Sequence, residues 1–430
     1  MCSSDAQDEL RALEVCRKCV ANRLPPGALP GDDDDLVKTE ALDSMGWVDV
    51  LISIESATGL RDFGSSWPES TTKSIRALAD MIREAHRKQP EGFTGGRPAA
   101  AAPDGSEVTI LGWGYALGSV TVDAGKVERE LHLPPQKIRN GAGIQSLRFA
   151  AATEDELILG QRAADLALEM AEVAAEEIDL LVTTSTTFLT LPSFAASLHS
   201  RLLLGERSCA LDVGGACAGL IYSLAVAKSL LRTSSRAALI VASEVNSRRL
   251  DATGVPGEFR GLFGDGACAF VLAPASDTHQ DSLRLGDFVW GCSGTYASSL
   301  NINISEDAAM TIQFKGEQLA LAAVTQMVRI FEALENQSGR PRADVDYFAV
   351  HQPNPRVVEI LAEKSNVPLK KIPLMSQTCG NLGSATCGVS LCQALANLRE
   401  GPDSSRPPWI FMAAVAPGLL WGGAFLFGVR

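Results

Sequence analysis

The ten residues Leu211–Leu220 read LDVGGACAGL and decide how the surrounding chain folds. An apolar run typical of a buried strand stops at Gly214 and Gly215, and a helical pattern (AGLIYSLAVAKSLLRT) begins directly after Cys217. This order predicts an α/β unit with Cys217 at the start of a helix. The positive end of the helix dipole favours thiolate over thiol there. A buried structural cysteine is the alternative, because free cysteine is among the most buried residue types.

Apolar strands alternate with helices on both sides of this stretch, which predicts a sheet covered on both faces. Two pairs of strings are alike, EEIDLLVTTST with ADVDYFAVHQP and GDGACAFVLAP with WGGAFLFGVR. They predict a duplicated α/β unit with layered helices and two sheets, whose halves are residues 108–275 and 276–430. Chance similarity between apolar strands is the alternative. Strands are predicted over Val108–Gly112, Ile178–Ser185, Cys209–Gly214, Ala237–Ser243, Ala267–Ala273, Val345–Val350, Ile410–Val415 and Ala424–Val429, with helices over Glu154–Glu172 and Leu319–Leu334.

The first part of the chain, residues 1–88, differs from the rest because it is strongly helical. Apolar residues recur at helical spacing in Gln7–Leu24, Ser44–Ala57 and Ser70–Arg87. This pattern predicts a small four-helix bundle. Residues 89–107 are rich in Pro, Gly and Ala and have no apolar period, so they are predicted to be a flexible linker.

Composition limits the classes of partner and of cofactor. The net charge of −13 argues against a nucleic acid or an anionic membrane as the general partner. Ten cysteines are scattered without metal-type clusters, so no metal is expected, and the predicted location is the reducing cytosol. The apolar run of residues 411–427 contains Pro417 and several glycines, which favours two buried strands and a turn over a membrane span.

Two further segments carry residue types that suit chemistry at a cysteine. His351 follows the strand YFAV, and α/β proteins place their chemistry at such strand ends. Asn381 lies in the loop TCGNLGSATCG, after PLMSQ. A Cys, a His and an Asn, each at the end of an apolar strand, suit thioester chemistry without a metal, since two neutral donors can hydrogen bond to a developing enolate. The alternative for His351 is a loop histidine whose hydrogen bonds are only structural, and the alternative for the Asn381 loop is an ordinary turn.

Residues 108–430 resemble a β-ketoacyl-acyl carrier protein synthase III, of the thiolase fold. The resemblance is carried, in the family's order, by TTSTTFLTLPSFAASLHSRL, LDVGGACAGLIYSLAVA, FGDGACAFVL, HQPN, GNLGSA and GLLWGGAFL. It implies a duplicated α/β/α/β/α domain in which Cys217 is the acylated nucleophile. His351 and Asn381 would promote decarboxylation of a malonyl thioester and stabilise the enolate. Backbone amides of Cys217 and Gly418 would form the oxyanion hole.

The same resemblance assigns residues around the site. Arg356 matches a basic residue that the family uses near the carrier-protein entrance. Phe188, Leu189 and Leu191 suggest an apolar acyl pocket. Leu191 also falls where family members extend a side chain into the pocket of the partner subunit, which implies a homodimer.

The chain departs from the family at the positions that grip coenzyme A. Family members that load from coenzyme A carry a Trp and an Arg, which fall here on about Lys137 and Gly141. A second Arg is expected near Val255, and Arg260 is displaced from that position. The contacts that hold coenzyme A in the family are therefore weakened in this chain. Coenzyme A and a carrier protein are both left as alternatives for the acyl donor.

The segment ALDSMGWVDVLISIESATG resembles the phosphopantetheine attachment region of acyl carrier proteins, because Asp43-Ser44-Met45 matches their Asp-Ser-Leu motif. The resemblance implies that residues 1–88 are a carrier domain with 4'-phosphopantetheine bound covalently to Ser44. A serine at a helix start tolerates a phosphodiester. The alternative is that Asp-Ser is only a helix cap. A linker of about 20 residues has a span of about 25 Å, enough for millimolar effective concentration near a synthase.

The predicted function is decarboxylative Claisen condensation of an acyl group on Cys217 with a malonyl-type thioester, in fatty-acid or polyketide-type biosynthesis. Acyl transfer to an alcohol or amine without condensation is the alternative, although relatives with that activity tend to replace the Asn. A hydroxymethylglutaryl synthase would need a carboxylate base where residues 183–186 read TTST. A non-catalytic carrier or chain-length partner is disfavoured by the intact Cys, His and Asn.

Overall fold

The computed structural model describes residues 3–60, 63, 71–88, 107–231, 236–251, 254–275, 283–294, 297, 300–304, 310–400 and 407–428. The chain divides into two compact units, residues 1–97 with 314–325, and residues 98–313 with 326–430. The predicted linker lies outside the described residues except for Glu107. The predicted domain limits therefore stay predictions.

The first unit has three complete helices among its described residues, α1 (Ser3–Ala21), α2 (Ser44–Thr58) and α3 (Ile75–Lys88), together with the start of a longer helix in residues 314–325. Helix α1 contacts both of the others. Arg17 and Arg76 form ion pairs with Asp32 and Asp33, so the acidic run between α1 and α2 is partly neutralised. The described part of residues 1–88 contains no fourth α-helix, and the four-helix count stays a prediction. The core of the helices contains Leu13, Cys16, Val20, Trp47, Leu51, Ile54, Leu78 and Ile82.

The second unit alternates strands and helices as predicted. Its helices are α4 (Ala124–Glu130), α5 (Glu156–Ala171), α6 (Phe194–Arg201), α7 (Gly219–Leu230), α8 (Asn246–Arg249), α9 (Gly257–Arg260), α10 (Gly316–Ser338, which begins in the first unit), α11 (Pro355–Ser365), α12 (Ser376–Cys379) and α13 (Thr386–Glu400). Its strands are β1 (Val108–Leu117), β2 (Val120–Asp123), β3 (Ser146–Phe149), β4 (Ile178–Thr184), β5 (Cys209–Asp212), β6 (Ala237–Val245), β7 (Asp265–Pro274), β8 (Leu283–Cys292), β9 (Leu300–Ile304), β10 (Met310–Phe314), β11 (Tyr347–Val350), β12 (Trp409–Ala416) and β13 (Leu420–Gly428). None of these described helices is long and apolar enough to cross a membrane.

The sheet has the same pairing twice, which confirms the predicted duplication. Its nine strands run β11-β12-β13-β8-β1-β7-β6-β4-β5. In the first half, β4 and β6 are parallel, and β7 pairs antiparallel with both β6 and β1. In the second half, β11 and β12 are parallel in the same way, and β13 pairs antiparallel with both β12 and β8. The expectation of two separate sheets is wrong, because Val108–Ile110 of β1 pair with Leu283–Leu285 of β8 and join the halves.

Helices α7 and α13 form the layer between the two halves of the sheet. One apolar core joins their buried side chains to residues of both halves, for example Ile240 and Met412. A second core packs α5 and α6 on the opposite face of β4, β6 and β7, because successive strand residues point to opposite faces. On the far face of the second half, Phe331 of α10 packs against Phe348 of β11. Helices and sheet halves therefore alternate in five layers.

Candidate active site

Cys217 lies in a tight turn that joins β5 to α7. The turn is a 3₁₀ helix, Ala216–Ala218, and α7 begins at the next residue. Only glycine fits at that residue, because a Cβ on Gly219 would lie 2.2 Å from Oγ1 of Thr184. The start of α7 is therefore held against the end of β4, and Cys217 sits between a strand end and a helix start, as predicted.

The thiol of Cys217 is neutral at rest, which corrects the expectation of a thiolate. Burial of the thiol, and secondarily the nearby Glu244, raises the pKa of Cys217 to about 12. The backbone N–H of Cys217 acts in the opposite direction but does not overcome burial. Desolvation of the anion therefore outweighs the favourable effect of the helix start.

This raised pKa predicts how Cys217 reacts with an alkylating agent. Only the thiolate is nucleophilic, so the iodoacetamide rate at Cys217 should rise by about tenfold per pH unit from about pH 7 to about pH 10 without a plateau. Mass spectrometry of the Cys217 peptide gives the rate, with free glutathione as the control. An alkylation rate that stops rising below about pH 9 would show that the pKa of the Cys217 thiol is not raised.

His351 follows β11 and is held by the sheet. Its backbone N–H donates to the carbonyl of Ala413 in β12 at 2.9 Å. The side chain is only 4% exposed, and burial lowers the pKa of His351 to about 4, so the imidazole is neutral at neutral pH. Its Nδ1 is buried and has no hydrogen-bond partner among the described residues.

Asn381 does not end a strand, contrary to expectation. It follows α12 and forms a single bridge with Phe263. Its Oδ1 accepts hydrogen bonds from the N–H of Gly383 at 2.9 Å and from the hydroxyl of Thr386 at 3.2 Å. The N–H of Gly383 can only donate, so it fixes which end of the carboxamide is the oxygen. Nδ2 makes no hydrogen bond with a described residue, so it is available as a donor.

The fold brings the segments of Cys217, His351 and Asn381 together. The turn 216–218 contacts the turn 383–385 that follows Asn381, and it also contacts β12, to which His351 is hydrogen bonded. It contacts β13 as well. Gly418 lies between β12 and β13 with φ of 129°, a conformation that favours glycine.

Sequence reasoning missed Glu244, the last residue but one of β6. The side chain is fully buried, and its carboxyl group accepts hydrogen bonds from the backbone N–H and hydroxyl groups of both Thr186 and Ser384. Burial raises the pKa of this carboxyl group above its usual value. The signal in the sequence was a lone acidic residue near the end of the apolar strand AALIVASEV.

The comparisons with known proteins decide the family. Two models, 3-oxoacyl-[acyl-carrier-protein (ACP)] synthase III and its C-terminal domain, match residues 211–294 and 336–427. The beta-ketoacyl-[acyl-carrier-protein] synthase III of Ruegeria pomeroyi is 31% identical over 325 residues, which are 74% of this chain and 98% of that protein. The chain belongs to the β-ketoacyl-acyl carrier protein synthase III family. The resemblance to a synthase III is thereby confirmed, and the family models place it in residues 211–294 and 336–427.

Solved structures of the family agree with the fold. The synthase III of Aquifex aeolicus superimposes with a TM-score of 0.65 at 26% identity, over 74% of this chain and 99% of that one. The priming β-ketosynthase of the R1128 polyketide biosynthetic pathway gives a TM-score of 0.67 at 27% identity, over 77% and 99%. The predicted thiolase-type α/β fold is confirmed.

The residues predicted to line the acyl pocket and the carrier-protein entrance differ in their surroundings. Phe188 packs against Phe194 of α6, with ring centroids 5.3 Å apart. Leu189 and Leu191 are 58% and 93% exposed. Arg356 lies in the first turn of α11, partly exposed, where it pairs weakly with Glu359. The roles assigned to these residues stay predictions.

At the positions that depart from the synthase III pattern, the two basic side chains are paired and the apolar side chain is buried. Lys137 pairs with Glu258 at 3.4 Å and Arg260 pairs with Asp251 at 2.6 Å, so both cations already have acidic partners. Val255 is buried. A Cβ on Gly141 would meet nothing within 4 Å. The space that the family's larger side chain would fill is therefore open in this chain.

Ser44 is the first residue of α2 and is exposed. The cap of the helix is Asp43, whose side chain accepts a hydrogen bond from the N–H of Gly46 at 2.6 Å. The hydroxyl of Ser44 is therefore not needed as the cap. An exposed serine beside free helical N–H groups fits a phosphodiester. Elsewhere in the described chain, no group of three His, Cys, Asp or Glu could hold a metal ion.

Proposed function

We propose that this chain catalyses decarboxylative Claisen condensation, joining an acyl group on Cys217 to a malonyl-type thioester in fatty-acid or polyketide-type biosynthesis. The observation that carries the proposal is the pair of uncharged donors, neutral His351 and the fixed carboxamide of Asn381, on segments that meet around the turn of Cys217. Neutral donors stabilise an enolate, whereas an unpaired carboxylate would repel it.

The first step loads the enzyme. The Cys217 sulfur attacks the carbonyl carbon of an acyl thioester, and the bond from that carbon to the donor thiol breaks. Because the pKa of Cys217 is about 12, the proton leaves the sulfur as the new bond forms and ends on the departing thiol.

The second step generates the carbon nucleophile. The malonyl carboxylate leaves as carbon dioxide, and the electron pair of the broken carbon–carbon bond becomes an enolate. Nε2 of His351 and Nδ2 of Asn381 donate hydrogen bonds to the enolate oxygen. This stabilisation is present only as charge develops, so it accelerates the step.

The third step forms the product. The enolate carbon attacks the thioester carbonyl on Cys217, and the backbone N–H groups of Cys217 and Gly418 hold the tetrahedral oxyanion. The bond to Cys217 then breaks, which releases the β-ketoacyl product and returns the thiol after it takes up a proton.

Incubation with an acyl thioester and a carboxyl-labelled malonyl thioester distinguishes condensation from simple acyl transfer. Condensation releases labelled carbon dioxide together with a β-ketoacyl product. Acyl transfer to an alcohol or amine would consume the acyl donor without loss of label.

We further propose that residues 1–88 are an acyl carrier domain with 4'-phosphopantetheine on Ser44. When bound, that arm supplies a thiol on which an acyl or malonyl group is carried as a thioester. The proposal is supported by the exposure of Ser44 at the start of α2 and by the separate cap, Asp43. The paired Lys137 and Arg260 support a carrier-bound donor over coenzyme A. A homodimer is proposed because Leu191 is almost fully exposed.

The carrier proposal predicts a specific mass change. Treatment with a phosphopantetheinyl transferase and coenzyme A should add one phosphopantetheine to the chain. Ser44→Ala should abolish the gain, and Ser56→Ala, at an exposed serine of the same helix, should leave it unchanged. Modification of Ser44→Ala, or no modification of the unaltered chain, would contradict the proposal.

A further inference from the structure

Glu244 joins two segments of the site that are far apart in the chain. Its buried carboxyl group contacts Thr186, which follows β4, and Ser384, which follows Asn381. We propose that Glu244 is a positioning residue that holds the Asn381 loop so that the carboxamide of Asn381 presents Nδ2 to the enolate. The inference rests on the proposed condensation.

The carboxyl oxygens divide their donors between the two segments. Oε1 accepts from the hydroxyl and N–H of Ser384 at 2.5 and 3.3 Å. Oε2 accepts from the hydroxyl and N–H of Thr186 at 2.8 and 3.0 Å, and the same N–H lies 3.1 Å from Oε1. A buried acceptor with this many donors links the two segments at a fixed distance, because each broken bond would leave a buried group unpaired.

The position of Ser384 affects Asn381 through the preceding residue, Gly383. Gly383 donates its N–H to Oδ1 of Asn381, and its backbone has φ of +58°. A Cβ on Gly383 would lie 3.0 Å from Cγ and 3.2 Å from Oε1 of Glu244, so the glycine packs directly on the carboxyl group. Glu244 therefore fixes the peptide that orients the Asn381 carboxamide.

A glutamine at position 244 would weaken one side of this link and spare the other. Its NH₂ group cannot accept, so it must face one of the two segments. The N–H groups of Thr186 and Ser384 lie 3.1 and 3.3 Å from Oε1, and the N–H of Thr186 also lies 3.0 Å from Oε2. In either orientation the NH₂ group faces an N–H donor and the link is lost on one side, so the Asn381 loop is no longer held at a fixed distance from Thr186.

Glu244→Gln should separate the two half-reactions. Decarboxylation of the malonyl thioester should fall about 10- to 100-fold, while acylation of Cys217 should change less than about threefold, because only the enolate uses Asn381. In the Asn381→Ala background the same substitution should cause no further loss. The matched control is Glu154→Gln, another buried carboxyl group that accepts from backbone N–H and hydroxyl groups, there of Ser119.

A second readout does not depend on activity. Hydrogen exchange measured by mass spectrometry should increase in the peptide of residues 380–386 in Glu244→Gln and not in Glu154→Gln. If Glu244→Gln fails to fold, Ser384→Ala and Thr186→Ala replace it, and Ser384→Ala should lower decarboxylation more.

The outcomes distinguish the two proposals. If the unaltered protein releases no carbon dioxide but exchange increases only near Asn381, the condensation fails and the positioning stands. Equal loss of acylation and decarboxylation, or a further loss in the Asn381→Ala background, would overturn the positioning role while leaving the condensation intact. Unchanged exchange in residues 380–386 would also overturn it.

Discussion

Cys217→Ala should abolish acyl-enzyme formation and lower the condensation rate at least about 10³-fold, because it removes the thiol proposed to hold the acyl chain as a thioester. The turn of Cys217 contacts the Asn381 loop and both strands that flank Gly418, so an acyl group there would lie near the proposed donors and the proposed oxyanion hole. Intact-protein mass spectrometry after incubation with an acyl thioester measures the loss.

The matched control for this variant is Cys209→Ala, because Cys209 is a free and exposed cysteine of the same β5–α7 unit. It should keep both acylation and condensation. Acylation that survives in Cys217→Ala and disappears in Cys209→Ala would move the nucleophile to the surface of the protein.

Asn381→Asp should lower malonyl decarboxylation by about 10²- to 10³-fold while Cys217 is still acylated. An aspartate has the same shape, and one oxygen can still accept from the N–H of Gly383. Its second oxygen, however, replaces the free Nδ2 donor with an acceptor that carries negative charge. The change therefore removes the stabilisation of the enolate and adds repulsion.

The measurement follows carbon dioxide from carboxyl-labelled malonyl thioester and acylation of Cys217 in the same sample. Acylation is the internal control for folding. Equal rates of decarboxylation in Asn381→Asp and in the unaltered protein would remove Asn381 from the chemistry.

The sequence was sufficient for most of the strands and for the duplication. A continuous apolar run predicts a strand covered on both faces, and β4 ends within one residue of the prediction. The join between the two halves was not predictable, because it depends on a short pairing of β1 with β8. No periodic pattern marks which strand edges meet.

The site was predictable in its residue types and not in its electrostatics. A helix start after a cysteine suggested a thiolate, but the pKa depends on how much protein surrounds the sulfur, which a local motif does not contain. Glu244 was missed for the same reason, since its donors are about 60 and 140 residues away along the chain.

The most direct test is a single turnover of protein in which Cys217 has been acylated beforehand. After addition of carboxyl-labelled malonyl thioester, the acyl mass should leave Cys217 at the same rate as labelled carbon dioxide appears, with one carbon dioxide per β-ketoacyl product. Loss of the acyl group without release of label, or release of label while the acyl group stays on Cys217, would contradict it.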